Sequence, residues 1–374
     1  MDSAHQDRHR PSAVIVPVQF LRGIAASFVV AAHLLERLVK RDVFPNGLPD
    51  WVDSFGAMGV ATFFAISGFI MVYTTAHEFG SPNAGIYFFK RRFFRVAPIY
   101  YLTTILMIAF IYGTFSFSTN KAYIQPTLSQ LVMSAFFVPY IDESALAHPV
   151  YGLGWTLEYE MFFYAVFAVA LTLPKRTGLA SAIGFLTCLV AAGTLIPAPQ
   201  PIVGLPVPLY YFTRPLLLYF VCGMGIALVR LTWGTVKTPA PPWVISVIAL
   251  TALGIGIRFV PVDISFGSAL SVTTAVGVAT LLQSSQIRIT RFDTLSRAFG
   301  DASYSMYLTH SFFLGAIAIV FSRLAATGTM ATIVLIITTC LFCAVPAWLV
   351  WRFVEMPLTR MSRAKPPAPI TGPA

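Results

Sequence analysis

Residues 20–35 read FLRGIAASFVVAAHLL, an apolar run that contains two ionisable side chains, Arg22 and His33. Eleven residues separate the two. At 100° and about 1.5 Å per residue, an α-helix brings them to nearly the same face, about 16 Å apart along its axis. Ionisable groups within a membrane helix are costly and usually functional. The run therefore predicts a membrane helix that carries a cation and an imidazole on one stripe.

The composition of the whole chain indicates a polytopic membrane protein. Of its 374 residues, 57% are hydrophobic and only 11% are charged, whereas soluble domains have about 25% charged residues. Long apolar runs are typical of membrane helices, since barrel strands alternate in short segments. We predict an all-α membrane helical bundle of about ten transmembrane helices. These spans lie near 17–38, 55–76, 94–116, 150–173, 178–197, 206–230, 243–260, 265–284, 302–322 and 330–353.

The charge distribution predicts how the chain is oriented and divided. Alternate connections carry most of the lysines and arginines, which places both termini in the cytoplasm by the positive-inside rule. The predicted parts are a cytoplasmic tail at 1–16, a membrane domain at 17–357 and a basic, Pro-rich, disordered tail at 358–374. In the outer loop, 128–140 is apolar but too short to span, which favours an interfacial or re-entrant helix. The net charge of +10 follows this membrane pattern and does not indicate a nucleic-acid partner.

Two glutamates lie well inside the fourth span, in GWTLEYEMFFY at 154–164. Glu158 and Glu160 point about 200° apart on a helix, so at most one of them is expected to face a site shared with His33. Counted from the outer end, Glu160 has a depth close to that of His33, where a carboxylate would orient the imidazole. The alternative is a structural ion pair with an intramembrane arginine such as Arg214.

A basic cluster, KRRFFRVAPIY at 90–100, stands at the predicted cytoplasmic end of the third span. Arg91 and Arg95 are four residues apart, and Arg92 and Arg95 are three apart, so each pair shares a helix face. Forked guanidinium groups suit phosphates. The cluster is equally typical of positive-inside charge or of contact with anionic lipid head groups.

Polar residues in two further spans are candidates for supporting roles. Ser67 and Gly68 interrupt the second span, where they either allow close helix packing or offer a donor to a reacting carbonyl. In the ninth span, Ser303, Tyr307 and His310 share one helical face. A buried hydrogen-bond network explains that face as well as a site does. No Walker A loop, nucleophile elbow or metal-ligand spacing is present in the sequence, and we expect no metal and no tightly bound cofactor.

Six segments in this order resemble the acyltransferase 3 family of integral membrane acyltransferases. They are the R-x10-H of Arg22 and His33, GVATFFAISGF at 59–69, RRFFRVAPIY at 91–100, WTLEYEMFFY at 155–164, SYSMYLTH at 303–310 and FVEMP at 353–357. The resemblance covers about residues 17–357. The spelling GWTLEYEMFFY resembles the exopolysaccharide-production, ExoZ-like branch of that family.

The resemblance implies an O-acyltransferase of the bacterial cytoplasmic (inner) membrane. It would transfer an acyl group, expected to be acetyl from acetyl-CoA, to a hydroxyl of a carbohydrate such as an exopolysaccharide, a lipopolysaccharide or a lipid-linked sugar. The family's roles fall on Arg22 and His33 and on the acidic position Glu160. The arginines of the family's basic segment fall on Arg91, Arg92 and Arg95.

The geometry of the spans suggests a mechanism for this reaction. Arg91, Arg92 and Arg95 would hold the phosphates of acyl-CoA, and His33 would act as general base beside Glu160. Arg22, Ser67 and Tyr307 are candidate oxyanion donors, with His310 in support, and a covalent acyl-His33 intermediate is the rival mechanism. A transporter or flippase for a carbohydrate or a lipid-linked precursor is the alternative function, because polar residues at several depths also describe a substrate path. The oligomeric state stays open.

Overall fold

The structure, a computed structural model, describes residues 14–44, 54–117, 125–141, 148–196, 206–259, 266–286, 289–323 and 328–361. These residues are mostly helical, which confirms the all-α prediction. The helices are α1 Val16–Val39, α2 Ser54–Thr75, α3 Ala84–Phe117, α4 Leu128–Ala135, α5 Trp155–Leu171, α6 Lys175–Gly193, α7 Pro206–Tyr211, α8 Leu217–Trp233, α9 Pro242–Phe259, α10 Phe266–Leu281, α11 Arg291–Asp301, α12 Ser303–Thr309, α13 Ser311–Arg323, α14 Thr329–Val350 and α15 Met356–Met361. Two short strands, β1 Val236–Thr238 and β2 Leu282–Ser284, pair in parallel.

Five helical segments of the described chain are long and apolar enough to cross a membrane, and a bent pair of helices raises the number to six. The five are Val16–Val39, Ser54–Thr75, Ala84–Gly113, Lys175–Gly193 and Met330–Met361, and the bent pair is α12 with α13. Helices α8, α9 and α10 are apolar but shorter. The chain is thus a multi-pass membrane protein, while the number of ten spans and the cytoplasmic position of both termini stay predictions.

Two predicted spans are not continuous helices. The span expected at 206–230 is divided into α7 and α8 by a turn that contains Pro215, whose ring cannot continue a helix from the preceding residues. The span expected at 302–322 bends by 61° between α12 and α13. His310 lies at this break, and the backbone NH groups of Phe313 and Leu314 both donate to its carbonyl.

The segments outside the predicted spans are described in part. Residues 128–135 form α4, where the side chain of Thr127 caps the amide of Gln130. Residues 358–361 belong to α15, so the start of the predicted disordered tail is helical. The rest of that tail, and residues 1–13 of the N-terminal tail, lie outside the described residues.

Helix α2 packs most extensively against α8 and α1. The approach to α8 is close because glycines stand at the contact. A Cβ at Gly68 would lie 2.1 Å from the Phe220 carbonyl oxygen, and one at Gly223 would lie 1.9 Å from that of Ala65. Small residues let two helix backbones meet in this way within a membrane protein. Gly68 therefore serves packing, while its neighbour Ser67 faces a cavity.

Helix α14 presents an apolar stripe to the outside of the bundle. Ile333, Ile337, Leu341 and Val345 recur every four residues and have exposed fractions of 45%, 53%, 64% and 63%, whereas Ala347 is fully buried. Residues four apart lie on one helix face. Apolar side chains exposed along a long helix are what a lipid-facing surface requires.

Substituting Gly223 tests the close packing of α2 against α8. We expect Gly223→Ala to lower the free energy of unfolding by about 1–3 kcal/mol, because backbone must move to admit the methyl group. Thermal unfolding of the protein in detergent measures this loss. Gly225→Ala in the same helix is the matched control, since nothing lies within 4 Å of its added Cβ. Equal stability of the two variants would contradict the contact.

Candidate active site

A cavity opens between α1, α2, α3, α5 and α12, with about 730 Å³ of empty space including its mouth. Its wall combines cations, one carboxylate, several hydroxyls and an apolar surface. The lining residues are Arg22, Val60, Phe63, Phe64, Ile66, Ser67, Ile70, Met71, Arg92, Arg95, Val96, Thr156, Leu157, Glu160, Tyr164, Tyr304 and Tyr307. Six of the nine residues predicted from the sequence to be catalytic, donor-binding or supporting line this cavity, namely Arg22, Ser67, Arg92, Arg95, Glu160 and Tyr307.

Three guanidinium groups converge on the cavity, that of Arg22 from α1 and those of Arg92 and Arg95 from α3. Arg92 lies over the Phe88 ring, 5.7 Å from its centroid. Among the described residues, no carboxylate forms an ion pair with any of the three, and no acceptor is bound to Arg92 or Arg95. Guanidinium groups without carboxylate partners around one cavity have the chemistry that suits an anion with several oxygens.

Arg22 is oriented by a hydrogen-bonded relay to α11. Its Nη1 donates to Gln19 Oε1 at 3.0 Å, and Gln19 Nε2 donates to Asp301 Oδ1 at 3.2 Å. Gly300 permits the approach, because a Cβ there would lie 2.4 Å from the Gln19 carbonyl oxygen. Burial raises the pKa of Asp301, although the positive charge of Arg22 opposes the rise. The carboxyl group thus balances the cation indirectly, through the amide.

Glu160 lines the same cavity as Arg22, Arg92 and Arg95, called the arginine cavity below. One of its oxygens, Oε1, accepts a hydrogen bond from Ser67 Oγ at 3.3 Å and another from the Tyr164 hydroxyl. Tyr164 is four residues after Glu160 in α5, so both side chains lie on one helix face. Glu158 is elsewhere, as the 200° separation predicts: it is 1% exposed, and neither of its carboxylate oxygens has a hydrogen-bond partner among the described residues.

The expected pairing of Glu160 with His33 is not found. His33 Nδ1 lies 2.9 Å from His310 Nε2, and among the described residues no hydrogen bond joins His33 to Glu160. The depth count assumed that α5 begins at the membrane surface. Instead, α5 follows a buried segment in which Tyr151 is 1% exposed and donates to the Leu308 carbonyl at the break between α12 and α13.

Aromatic rings stand between the cavity and the two histidines. Tyr307 lines the cavity, and its ring centroid is 6.2 Å from that of His310 and 6.3 Å from that of Phe63. The Tyr307 hydroxyl donates to the Leu153 carbonyl at 2.8 Å and accepts from Thr156 Oγ1 at 2.9 Å. His33 is not among the cavity-lining residues, although it keeps some exposed surface, whereas His310 has none.

Arg91 lies outside the cavity, unlike the two other arginines of its cluster. It is exposed, and its Nη2 forms an ion pair with Glu78 Oε2 at 2.6 Å. Although Arg91 and Arg95 are four residues apart in α3, only Arg95 lines the cavity, and the Arg91 side chain is held at Glu78. The predicted set of three donor-binding arginines is thus divided, and Arg22 takes the third place in the cavity.

Sequence reasoning did not select several polar residues of the site. Gln19 and Tyr164 are within one helical turn of Arg22 and Glu160, so the periodicity could have found them. Tyr304, whose hydroxyl donates to the Val96 carbonyl at 2.6 Å, precedes Tyr307 by three residues. Asp301 comes from a helix outside the predicted spans and carries no signal in the local sequence. Within the described part of the chain, no group of three or more potential metal ligands occurs.

The chain belongs to the acyltransferase 3 family, whose family model, described as an acyltransferase domain, matches residues 17–351. The protein is therefore an acyltransferase built from membrane helices, which favours this function over the transporter alternative. Two relatives are similar over most of their length. The exopolysaccharide production protein ExoZ of Rhizobium meliloti (strain 1021) is 32% identical over 318 residues, which cover 83% of this chain and 92% of the relative.

A second relative, the acyltransferase MdmB of Streptomyces mycarofaciens, is 24% identical over 315 residues. The match covers 78% of this chain and 76% of the relative. No solved structure matches the chain.

Thiol labelling tests whether the cavity is open to small anions. In a background that lacks the native cysteines, we expect Ser67→Cys to react with a sulfonate-bearing methanethiosulfonate reagent, because Ser67 lines the cavity and the arginines attract the anion. The substituted native residues are Cys188, Cys222, Cys340 and Cys343. Thr62→Cys is the control on the same helix, since Thr62 has no exposed surface. Equal labelling rates would show that the cavity is closed.

Proposed function

We propose that this protein is an O-acyltransferase that transfers an acyl group, acetyl in the first instance, from acyl-CoA to a hydroxyl of a cell-surface carbohydrate. The family supports acyl transfer, and the name of the ExoZ relative supports an exopolysaccharide or its lipid-linked precursor as the acceptor. The single observation that carries the donor assignment is the cavity with three guanidinium groups that lack carboxylate partners among the described residues.

Coenzyme A fits this cavity by its chemistry. Its phosphate groups would bind Arg92 and Arg95 through charge-assisted hydrogen bonds, which forked guanidinium groups make in pairs. Its thin pantetheine arm is less polar, and the cavity wall offers Ile66, Ile70 and Met71 beside the cations. The pantetheine arm would contact Arg22, which Gln19 orients, at a point further from the phosphates.

The orientation in the membrane follows from the donor. Acyl-CoA is made and kept in the cytoplasm, so the mouth with Arg92 and Arg95 faces that side in the proposed arrangement, in a bacterial cytoplasmic membrane. Both chain termini would lie on the same side, in agreement with the positive-inside distribution of charge. The carbohydrate would then approach His33 from the outer side.

His33 is the proposed general base. It would take the proton of the attacking hydroxyl while the hydroxyl oxygen bonds to the thioester carbonyl carbon, and the carbon–sulfur bond would then break. Such help is typically worth about 10²–10⁴-fold in rate. To reach His33 from the arginine cavity, the thioester must pass Phe63 and Tyr307, so a movement of these rings accompanies donor binding in this proposal.

Glu160 has a different role from the one expected beside His33. Its carboxylate shares the cavity with the arginines and is held by Ser67 and Tyr164. We assign it to the donor side, where it offsets part of the positive charge while the cavity is empty and directs the phosphates toward the mouth by repulsion. The hydroxyl protons of Ser67 and Tyr307 are donated to Glu160 and to the Leu153 carbonyl, so either residue would have to leave this acceptor to serve as the predicted oxyanion donor.

Substitution of the cavity arginines tests donor binding. We expect Arg92→Gln and Arg95→Gln each to weaken CoA binding by about tenfold, since a hydrogen bond to a charged group contributes about 1.5–3 kcal/mol. Titration calorimetry with CoA on the protein in nanodiscs measures the dissociation constant. Arg91→Gln is the matched control and should change it little, because Arg91 is engaged with Glu78. Equal losses in all three variants would contradict the cavity as the donor site.

Substitution of His33 tests the chemistry. We expect His33→Ala to lower transfer of labelled acetyl from acetyl-CoA to polysaccharide by at least about 10²-fold while CoA still binds. The same variant in cells should lose acetyl signals of the surface polysaccharide in proton NMR spectra. A folded His33→Ala variant with near-normal turnover would refute the assignment of His33 as the general base. Labelled acetyl retained on the wild-type protein without acceptor would favour an acyl-His33 intermediate.

A further inference from the structure

His33 and His310 form a buried imidazole pair that the reaction as proposed above does not explain. The two rings are nearly parallel, with an interplanar angle of 7° and centroids 5.2 Å apart. His33 Nδ1 and His310 Nε2 are 2.9 Å apart. Among the described residues, neither ring has a carboxylate partner. Two nitrogens at this distance share one proton in a hydrogen bond, and either His33 Nδ1 or His310 Nε2 could carry it.

The backbone decides which nitrogen carries that proton. His310 Nδ1 lies 3.1 Å from the Met306 carbonyl oxygen, which can only accept a hydrogen bond. His310 Nδ1 must then be protonated, and in a neutral ring Nε2 is left as an acceptor. The proton between the rings consequently belongs to His33 Nδ1. His33 Nε2 keeps its lone pair and is the basic atom of the pair.

The alternative, a charged His310 that donates from both nitrogens, is disfavoured. His310 has no exposed surface, and an unpaired buried charge costs much more than a neutral imidazole. The backbone around His310 is also fixed, because Tyr151 donates to the Leu308 carbonyl and lies 3.0 Å from Ser311 Oγ. The bend between α12 and α13 thus holds the acceptor nitrogen of His310 in place.

We propose that His310 is a positioning residue that locks His33 in the Nδ1–H tautomer, so that His33 Nε2 is the atom that takes the proton. This inference rests on the proposed function of His33. As the hydroxyl O–H bond breaks, its proton moves to His33 Nε2, and the new oxygen–carbon bond forms at the thioester carbonyl. The C–S bond then breaks, and the proton passes from Nε2 to the CoA sulfur. The charge held meanwhile on the His33 ring is stabilised by the bond from Nδ1–H to His310.

In this arrangement the partner of His33 is a neutral imidazole, whereas the sequence predicted a negatively charged carboxylate. A neutral imidazole orients His33 without adding a negative group next to the carbonyl that becomes an oxyanion. It gives less stabilisation to the imidazolium than a carboxylate would. Because this stabilisation acts while the His33 ring is charged during the reaction, the acceptor atom of His310 should affect turnover more than donor binding.

A pair of His310 variants tests the lock through activity. His310→Leu removes the acceptor and should lower kcat by about 10²-fold, with KM for acetyl-CoA changed by less than about twofold. His310→Gln can place its Oε1 near the position of Nε2 and should recover about tenfold of that loss. His77→Gln, at an exposed position in the turn after α2, is the control for loss of an imidazole. Equal kcat values for the Leu and Gln variants would overturn the proposal.

The tautomer itself can be read without any activity measurement. Nitrogen-15 NMR of histidine-labelled full-length protein in nanodiscs, with the His33 signals assigned by comparison with His33→Gln, should show a protonated Nδ1 and an unprotonated Nε2. A wild-type His33 with its proton on Nε2 would overturn the inference, whether or not the protein transfers acyl groups. The expected tautomer in a protein without transfer activity would instead refute the proposed function.

Discussion

The burial of the Arg22 guanidinium in an apolar helix is the constraint on which the rest of the structure depends. The residue is 8% exposed within a bundle of membrane helices, and an unsatisfied cation in such a place would cost several kcal/mol. Gln19 accepts a hydrogen bond from the Arg22 guanidinium group, and the Gln19 amide in turn donates to the carboxyl group of Asp301. To bring Asp301 there, α11 must lie against the start of α1, with Gly23 against the Phe299 ring and Gly300 against Gln19.

The same constraint explains why the cavity suits an anionic ligand. Arg92 and Arg95 add two cations near Arg22, and the acids Glu160, Asp301 and Glu355 around them are bound to neutral partners, Ser67, Gln19 and Ser305. The acids lower the electrostatic cost of the cluster without occupying its donors. A ligand with several phosphate oxygens can therefore bind to arginines that are already in place, which avoids the cost of ordering them.

The site has two parts of different chemistry, separated by aromatic residues. Cations and Glu160 line the cavity on one side of Phe63 and Tyr307, and the two imidazoles lie on the other. In the proposed reaction this separation keeps the polyanionic donor away from the base and leaves only the thioester to reach it.

Some parts of this site follow directly from the sequence. The R-x10-H spacing places Arg22 and His33 on one helical stripe, and α1 is a continuous helix over both. The spacing of three between Arg92 and Arg95 places them on one face, and both line the cavity. Helical periodicity could not say which face of α3 is turned inward, so Arg91 was grouped with them although it pairs with Glu78 at the surface.

The sequence by itself determined the class of the fold, the membrane location and the membership of the family, because these depend on composition, apolar length and local motifs. Only the tertiary structure decided the partners of each polar side chain. Glu160 meets Ser67 and not His33, although counting from the ends of the two predicted spans gave both residues a similar depth. His33 meets His310, since the break after α12 turns that ring toward α1. Such pairings join residues that are far apart in the chain, and they depend on where helices begin, bend and approach each other, which local periodicity does not encode.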